Sequence, residues 1–267
     1  MKPPMPFPRI AACAVGLAVT AILGAVGQAT AAPADARTHT ATAYPTTGGA
    51  GAAITTSSSP MTRNAMPIIG GDQSQAQTYH ARVLQNGWGM CTSTLVSSRY
   101  ILTARHCVEQ PAQYAFRIGS TYAESGGTTA AAARITLHPS ADLAMVRLDR
   151  DVSNTPAPIA SAYPRTGSHV SVYGWGATCQ QYETYCQSPT LKTATMRMAG
   201  LAPDLYGGTA LHLEAVDGVG AGGDSGGPAM TSGSVVGVAS TSDRQTFTRY
   251  TATAPYIEWI RSVAANG

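Results

Sequence analysis

The chain carries little charge: Asp, Glu, Lys and Arg make up 12% of its 267 residues. Of seventeen basic residues, four (Lys2, Arg9, Arg37 and Arg63) precede Ile68, and of fourteen acidic ones only Asp35 does, so the part from Ile68 onward is formally neutral. With no basic stripe, nothing recommends nucleic acid or an anionic membrane as a partner. Cysteine is scarce: Cys13 lies near the start, and Cys91, Cys107, Cys179 and Cys186 follow much later. The later four lack metal-ligand spacing, which argues against a zinc site, although four cysteines still allow three pairings. Long apolar runs are absent except for Ile10 to Gly27, which is short of the roughly 20 residues of a spanning helix.

That run has Lys2 and Arg9 before it and the small-residue site Ala29-Thr30-Ala31 after it, the pattern of a cleaved export signal over residues 1–31. Residues 32–67 are rich in Ala, Thr, Ser, Gly and Pro, lack cysteine, and show neither helical nor strand periodicity. They cannot bury enough apolar surface to offset the entropy of ordering, and read as a propeptide or linker. Export also places the cysteines in an oxidising compartment, where disulfides outcompete zinc.

From Ile68 onward, short alternating runs stand between Gly, Pro, Ser and Asn clusters. They fall at His80 to Leu84, Ser93 to Val96, Tyr100 to Thr103, Ala115 to Ile118, Arg134 to Leu137 and Ala144 to Leu148. A second series covers His169 to Tyr173, Leu191 to Met198, Ala210 to Glu214, Ala229 to Met230, Ser234 to Ala239 and Thr246 to Thr251. Many short strands at this spacing predict an all-β chain of antiparallel sandwich or barrel type. A helix is predicted only at the end, over about 254–264, where Ile257, Ile260, Val263 and Ala264 share one stripe.

Two segments carry chemistry. Gly223-Asp224-Ser225-Gly226-Gly227-Pro228 sets a serine among glycines whose bare backbone lets amide N–H groups approach a substrate carbonyl, and Thr103-Ala104-Arg105-His106-Cys107 sets a histidine beside a cysteine. A serine hydroxyl is a poor nucleophile at neutral pH and needs a base such as imidazole, which itself needs a carboxylate to hold its second nitrogen as a donor. Asp142, in Ala-Asp-Leu-Ala-Met-Val-Arg-Leu, completes such a set in the order His, Asp, Ser.

On these residues the chain resembles the chymotrypsin-like (trypsin-fold) serine proteases. The resemblance extends to Ile68-Ile69-Gly70-Gly71, Phe116-Arg117-Ile118-Gly119, His138-Pro139-Ser140, Gly174-Trp175-Gly176, Phe247-Thr248-Arg249 and Tyr256-Ile257-Glu258-Trp259-Ile260. It implies two six-stranded antiparallel β-barrels with a C-terminal helix, the first over about 68–151, the second over about 168–253, and residues 152–167 crossing between them. It also implies a secreted, extracellular endopeptidase with His106, Asp142 and Ser225 catalytic and the N–H groups of Gly223 and Ser225 as oxyanion hole. Cys107 would pair with Cys91, sixteen residues earlier, leaving Cys179 for Cys186. The implied partners are protein or peptide substrates and a proteinaceous inhibitor, with the enzyme a monomer, no membrane contact once the signal is cut, and no cofactor or metal. The loop 120–127, which binds calcium in animal trypsins, offers only Glu124, too few oxygens for that ion.

The resemblance further implies a zymogen, in which a cut before Ile68 frees an α-amino group to pair with Asp224. The family usually has Arg or Lys before that isoleucine; here Pro67 stands there and Arg63 lies four residues earlier. The substrate pocket is implied at Val219, Ser240, Thr241, Ser242 and Gln245. Val219 replaces the acid of trypsins and Ala221 a bracing cysteine, so small or medium uncharged residues are expected at P1; an Asp217 or Asp243 displaced into the pocket would instead favour Arg or Lys.

Three other readings compete. Gly218 to Gly223 also spells G-x-G-x-x-G, but Pro228 and four glycines stand where a dinucleotide-binding helix must begin. An α/β-hydrolase esterase would need the order Ser, Asp, His. A catalytically silent binding module would have lost triad residues, and this chain retains them.

Overall fold

The computed structural model describes residues 68–266. The export signal and the propeptide or linker lie outside the described residues. Twelve of the described strands form two rings, and their boundaries follow from turns that the sequence makes obligatory.

The first barrel contains β2 (His80–Gln85), β3 (Trp88–Ser97), β4 (Tyr100–Thr103), β5 (Tyr114–Ile118), β6 (Thr128–Leu137) and β7 (Ala144–Leu148), closed in the order β2-β3-β4-β7-β6-β5. Asn86-Gly87 joins β2 to β3, and both residues have positive φ (51° and 88°), the two-residue turn whose twist matches a hairpin. Along β5 the residues alternate between buried and half-buried, and Phe116 and Ile118 join Val83, Leu95, Ile101, Met145 and Leu148 in a core without solvent contact. Each such side chain contributes about 1.5–3 kcal/mol of burial.

The second barrel contains β8 (His169–Gly174), β9 (Lys192–Pro203), β10 (Thr209–Ala215), β11 (Pro228–Thr231), β12 (Ser234–Ser242) and β13 (Phe247–Ala252). Antiparallel pairing runs β8-β9-β10-β13-β12-β11 and returns to β8. Val170, Val172, Met196, Leu211, Leu213 and Tyr250 fill it. The first described residues belong here and not with the first barrel, as the sequence reading has it: Ile68 is buried in this core, and β1 (Asp72–Gln73) pairs with β9.

A 3₁₀ turn at Ala254–Tyr256, with Pro255 fixing its φ, leads into α1 (Ile257–Asn266), which begins three residues later than the apolar stripe predicts. Ile260 is buried among first-barrel residues, with Trp259, Val263 and Ala264 packed around it. The chain therefore ends by leaving the second barrel to cover the first. Among the described residues no helix is long and apolar enough to cross a membrane.

Candidate active site

His106 sits on the 3₁₀ turn Arg105–Cys107 directly after β4. Its position is set by a disulfide from Cys107 to Cys91 on β3 (S–S 2.06 Å). The second disulfide joins Cys179 to Cys186, so the pairing implied by the resemblance is the one found. The one cluster of potential metal ligands among the described residues, Cys91, His106 and Cys107, has both its sulfurs engaged in that first bond.

Asp142 lies between β6 and β7 with no solvent exposure. Its Oδ2 is 2.7 Å from His106 Nδ1 and accepts the Ser240 hydroxyl at 2.7 Å, while Oδ1 accepts the His106 backbone N–H at 3.1 Å. Burial alone would push this carboxyl upward. The bond and charge of His106, the Ser240 hydroxyl and the backbone N–H together outweigh burial and hold it below the usual carboxylate range. The carboxylate accepting at Nδ1 fixes that nitrogen as the donor and leaves Nε2 free to act as a base.

Ser225 comes from the second barrel, on the turn before β11, and is docked on the first. Its carbonyl accepts the Thr92 N–H at 2.8 Å, and the Gly223 carbonyl accepts the Thr92 hydroxyl at 2.8 Å. Gly226 has φ +78°, and a Cβ there would stand 2.2 Å from Thr103 Oγ1 and 3.1 Å from Ala104 N, beside the histidine turn. Only glycine allows that approach. No hydrogen bond links the Ser225 hydroxyl to His106 among the described residues; such bonds tighten when substrate arrives. The Gly222 carbonyl is turned away to the Ala177 N–H at 2.8 Å, and neither the Gly223 nor the Ser225 N–H has an acceptor among the described residues.

Asp224 is 3% exposed. Its carboxylate accepts the Gly176 N–H at 2.7 Å and the Ala221 N–H at 3.0 Å, and burial pushes its pKa up to about 6. Cβ atoms at Gly174 or Gly176 would fall within 2.3 Å of it, which explains the glycines around Trp175. Ile68, peptide-bonded to Pro67 in this chain, is 1% exposed, and the next residue bridges to Val219.

A cavity of about 40 Å³ beside Ser225 is lined by Ala239, Ser240, Thr241, Ser242, Arg244 and Thr248 along one wall, and by residues of the 220–225 turn. Three of the five expected pocket residues, Ser240, Thr241 and Ser242, line it. Val219 does not: its bridge to Ile69 turns its side chain into the second-barrel core. Gln245 is exposed, because Asp243 caps the turn by accepting the N–H groups of Gln245, Thr246 and Phe247. That cap also keeps Asp243 out of the cavity, and Asp217 accepts the Thr195 N–H elsewhere.

Several residues here carried no signal in the sequence. Asp204, on the turn between β9 and β10, accepts the Asp142 N–H at 2.8 Å and the Thr251 hydroxyl at 2.9 Å. Tyr206, on the same turn, donates to Glu109 at 2.6 Å, and its ring lies 4.3 Å under the Arg105 guanidinium. Thr248 lines the cavity and accepts the Gly220 N–H at 2.9 Å. Each looked like an ordinary turn or strand residue.

A histidine and a carboxylate on one six-stranded barrel, with a serine from a second barrel laid beside them, define the chymotrypsin-like class. Within it, residues 68–260 match the Trypsin family, and the chain belongs to that family. It is 28% identical over 225 residues to snake venom serine protease 3 of Craspedocephalus gramineus, covering 74% of this chain and 87% of the relative. It is 31% identical over 230 residues to granzyme M of Homo sapiens, covering 73% and 88%. Among solved structures it is similar to the scabies mite inactivated protease paralogue S-D1, with a TM-score of 0.66, 20% identity, and 74% and 97% of the two chains covered.

Proposed function

We propose that the chain is a secreted serine endopeptidase, exported by a signal at residues 1–31, held inactive by residues 32–67, and activated when cleavage exposes Ile68. The observation that carries this reading is the Asp142 carboxylate: it is buried, held low, and 2.7 Å from His106 Nδ1. Such a group orients an imidazole as a base and stabilises the imidazolium that forms.

In this mechanism the Ser225 hydroxyl attacks the scissile carbonyl carbon, and its proton passes to His106 Nε2. The Gly223 and Ser225 N–H groups receive the oxyanion, each worth roughly 3–4 kcal/mol to the transition state. His106 then gives the proton to the departing amine, leaving an acyl-enzyme. Water, deprotonated by His106, releases the acid and regenerates Ser225.

Asp224 gives the zymogen step its driving force. A buried carboxylate with a pKa of about 6, bonded to two backbone donors and near an Arg82 guanidinium that bonds elsewhere, has no direct ion-pair partner among the described residues. The α-amino group freed at Ile68 supplies one, and the pair shapes the turn that bears Gly223. The route to Ile68 is cleavage after Arg63 followed by removal of Asn64-Ala65 and Met66-Pro67, or a single cut at Pro67-Ile68.

The 40 Å³ cavity, lined by Thr248 and by Asp224, whose carboxylate is taken up by the Gly176 and Ala221 N–H groups, has a size that suits small uncharged P1 side chains. Arg244 on its wall is neutralised by Glu183 at 2.9 Å. The test is to express the full chain, sequence the N-terminus of the secreted product, and assay peptides differing only at P1. The expected result is an Ile68 terminus with Ala preferred over Arg by at least about tenfold, the scale set by a buried unpaired charge. Preference for Arg refutes the pocket reading, and a different terminus refutes the zymogen reading. A protein with an Ile68 terminus that neither cleaves peptides nor reacts with an organophosphonate is a silent module, the condition named for the scabies mite relative.

A further inference from the structure

We infer that the Cys179–Cys186 loop holds the oxyanion-forming turn in its working orientation, with Gln187 and Glu183 as positioning residues. The inference rests on the peptidase reading above. The turn cannot hold itself: six of the ten residues from 218 to 227 are glycine. Glycine has the widest choice of backbone angles and loses the most freedom when fixed. The peptide between Gly222 and Gly223 is the critical one, because it carries the Gly223 N–H. With no Cβ on either side, sterics do little to oppose its rotation by half a turn, which would aim a carbonyl where the N–H is needed, and the peptide depends on the hydrogen bonds of the Gly222 carbonyl, one of them from the Ala177 N–H at 2.8 Å.

Besides the Ala177 N–H, two side chains near Cys186 bond the backbone groups of Gly222. Glu183 Oε2 accepts the Gly222 N–H at 3.1 Å, and Gln187 Nε2 donates to the Gly222 carbonyl at 2.7 Å. Each side chain is in turn anchored. Gln187 Oε1 accepts from Arg82 Nη2 at 2.9 Å, and Arg82 is 2% exposed, with Nη1 donating to the Trp175 carbonyl at 3.1 Å. Glu183 accepts both Nε and Nη2 of Arg244, at 2.9 and 3.2 Å, while Arg244 Nη1 donates to the Ser242 carbonyl at 2.8 Å. A continuous polar chain therefore runs from a buried guanidinium on β2, through Gln187, Gly222 and Glu183, to the wall of the substrate cavity on β12. The Thr178 N–H and hydroxyl both donate to the Cys186 carbonyl, and the disulfide closes the loop that carries Glu183 and directly precedes Gln187. The close fit appears at Gly223, where a Cβ would fall 2.0 Å from Gln187 Oε1.

The clamp acts on the transition state and not on substrate binding, since the oxyanion forms only after attack. Two variants of the processed full-chain product separate positioning from packing. Gln187→Met keeps the length and removes the amide. Gln187→Glu keeps a partner, now charged, for Arg82 but sets an acceptor against the Gly222 carbonyl. Both are expected to lower kcat about tenfold or more with KM within about twofold, a fraction of the 10²–10³ lost with an entire oxyanion donor. A peptide aldehyde, whose adduct carries the oxyanion, is expected to bind about tenfold more weakly to both variants. The matching peptide carboxamide, which forms none, is expected to bind as it does to wild type. Unchanged kcat and aldehyde affinity in both variants overturn the inference. So does full activity in Gln187→Glu with loss in Gln187→Met, which would mean that partnering Arg82 is all that Gln187 does. A wild-type product that neither cleaves peptides nor binds the aldehyde overturns the peptidase reading itself.

Discussion

Asp142 and Asp224 are the same residue type, both almost fully buried and both close to the nucleophile turn, yet their acidities move in opposite directions. Asp142 meets an imidazole, a hydroxyl and a backbone N–H, and is held low despite burial. Asp224 meets two backbone N–H groups, with Arg82 as the nearby cation, and is pushed up to about 6. Burial is common to the two; the donors decide the sign. Asp142 has a direct side-chain partner on each side, whereas among the described residues Asp224 has none, and under the proposed activation the Ile68 amine would supply it.

The most severe way to break this comparison is to neutralise Asp142. Asp142→Asn should lower kcat about 10⁴-fold, because an amide can present a donor to Nδ1 and favour the wrong tautomer. Steady-state hydrolysis by the processed enzyme measures it, and a loss of less than tenfold would remove any special role for Asp142.

The next test addresses Asp224 through its pH dependence. For Asp224 the folded pKa lies above the unfolded one, so its relative stabilisation is full below about pH 4 and is lost as pH rises through about 6. Two units correspond to about 3 kcal/mol. Asp142 has the opposite sign, contributing stability above its unfolded pKa that is lost as pH falls through its lowered folded value. Urea unfolding of the uncut Ser225→Ala chain between pH 4 and 7 should show the Asp224 loss. The same protein bearing a free Ile68 amine should not, and identical slopes in the two forms would mean that the amine never reaches Asp224.

The mildest test sharpens the comparison from the donor side. Ser240→Ala removes one of the bonds that hold Asp142 low, and should cost about tenfold in kcat/KM while raising the pH at which Asp142 titrates. This is the effect of a single hydrogen bond to a charged group. An unchanged pH profile would assign Ser240 to the cavity wall alone.

The legible parts of this molecule are those in which one residue type has one use. Alternation placed Tyr100 to Thr103 and Ala144 to Leu148 at their observed bounds, and found the centres of most other strands. It stopped short on β6, where the run of alanines at 130–133 has no contrast to read, and on β9, which extends to Pro203. It missed β1, two exposed residues held only by pairing. At the site, spacing and resemblance together single out His106, Asp142 and Ser225, since the proposed roles of base, orienter and nucleophile call for three chemically distinct side chains. Spacing and resemblance do not pick out Asp204, Thr248, Gln187 or Arg82. Their importance comes from backbone groups that they reach 28 to 93 positions away along the chain, and no local pattern records such partners. Val219 and Gln245 failed for a related reason: counting from a motif gives a position along the chain, but the direction of a side chain depends on a bridge to Ile69 or a cap by Asp243.

The helix at the end of the chain sets a timetable. The strands of the first barrel close on themselves, but Ile260 is buried in that core and Trp259 and Val263 pack against it, so the packing of the first barrel is complete only once Ile257–Asn266 has been made. The histidine and aspartate ride on this late-finishing half, and the serine turn is docked against it. A chain that stops short of this helix therefore leaves open part of the core on which His106 and Asp142 are mounted.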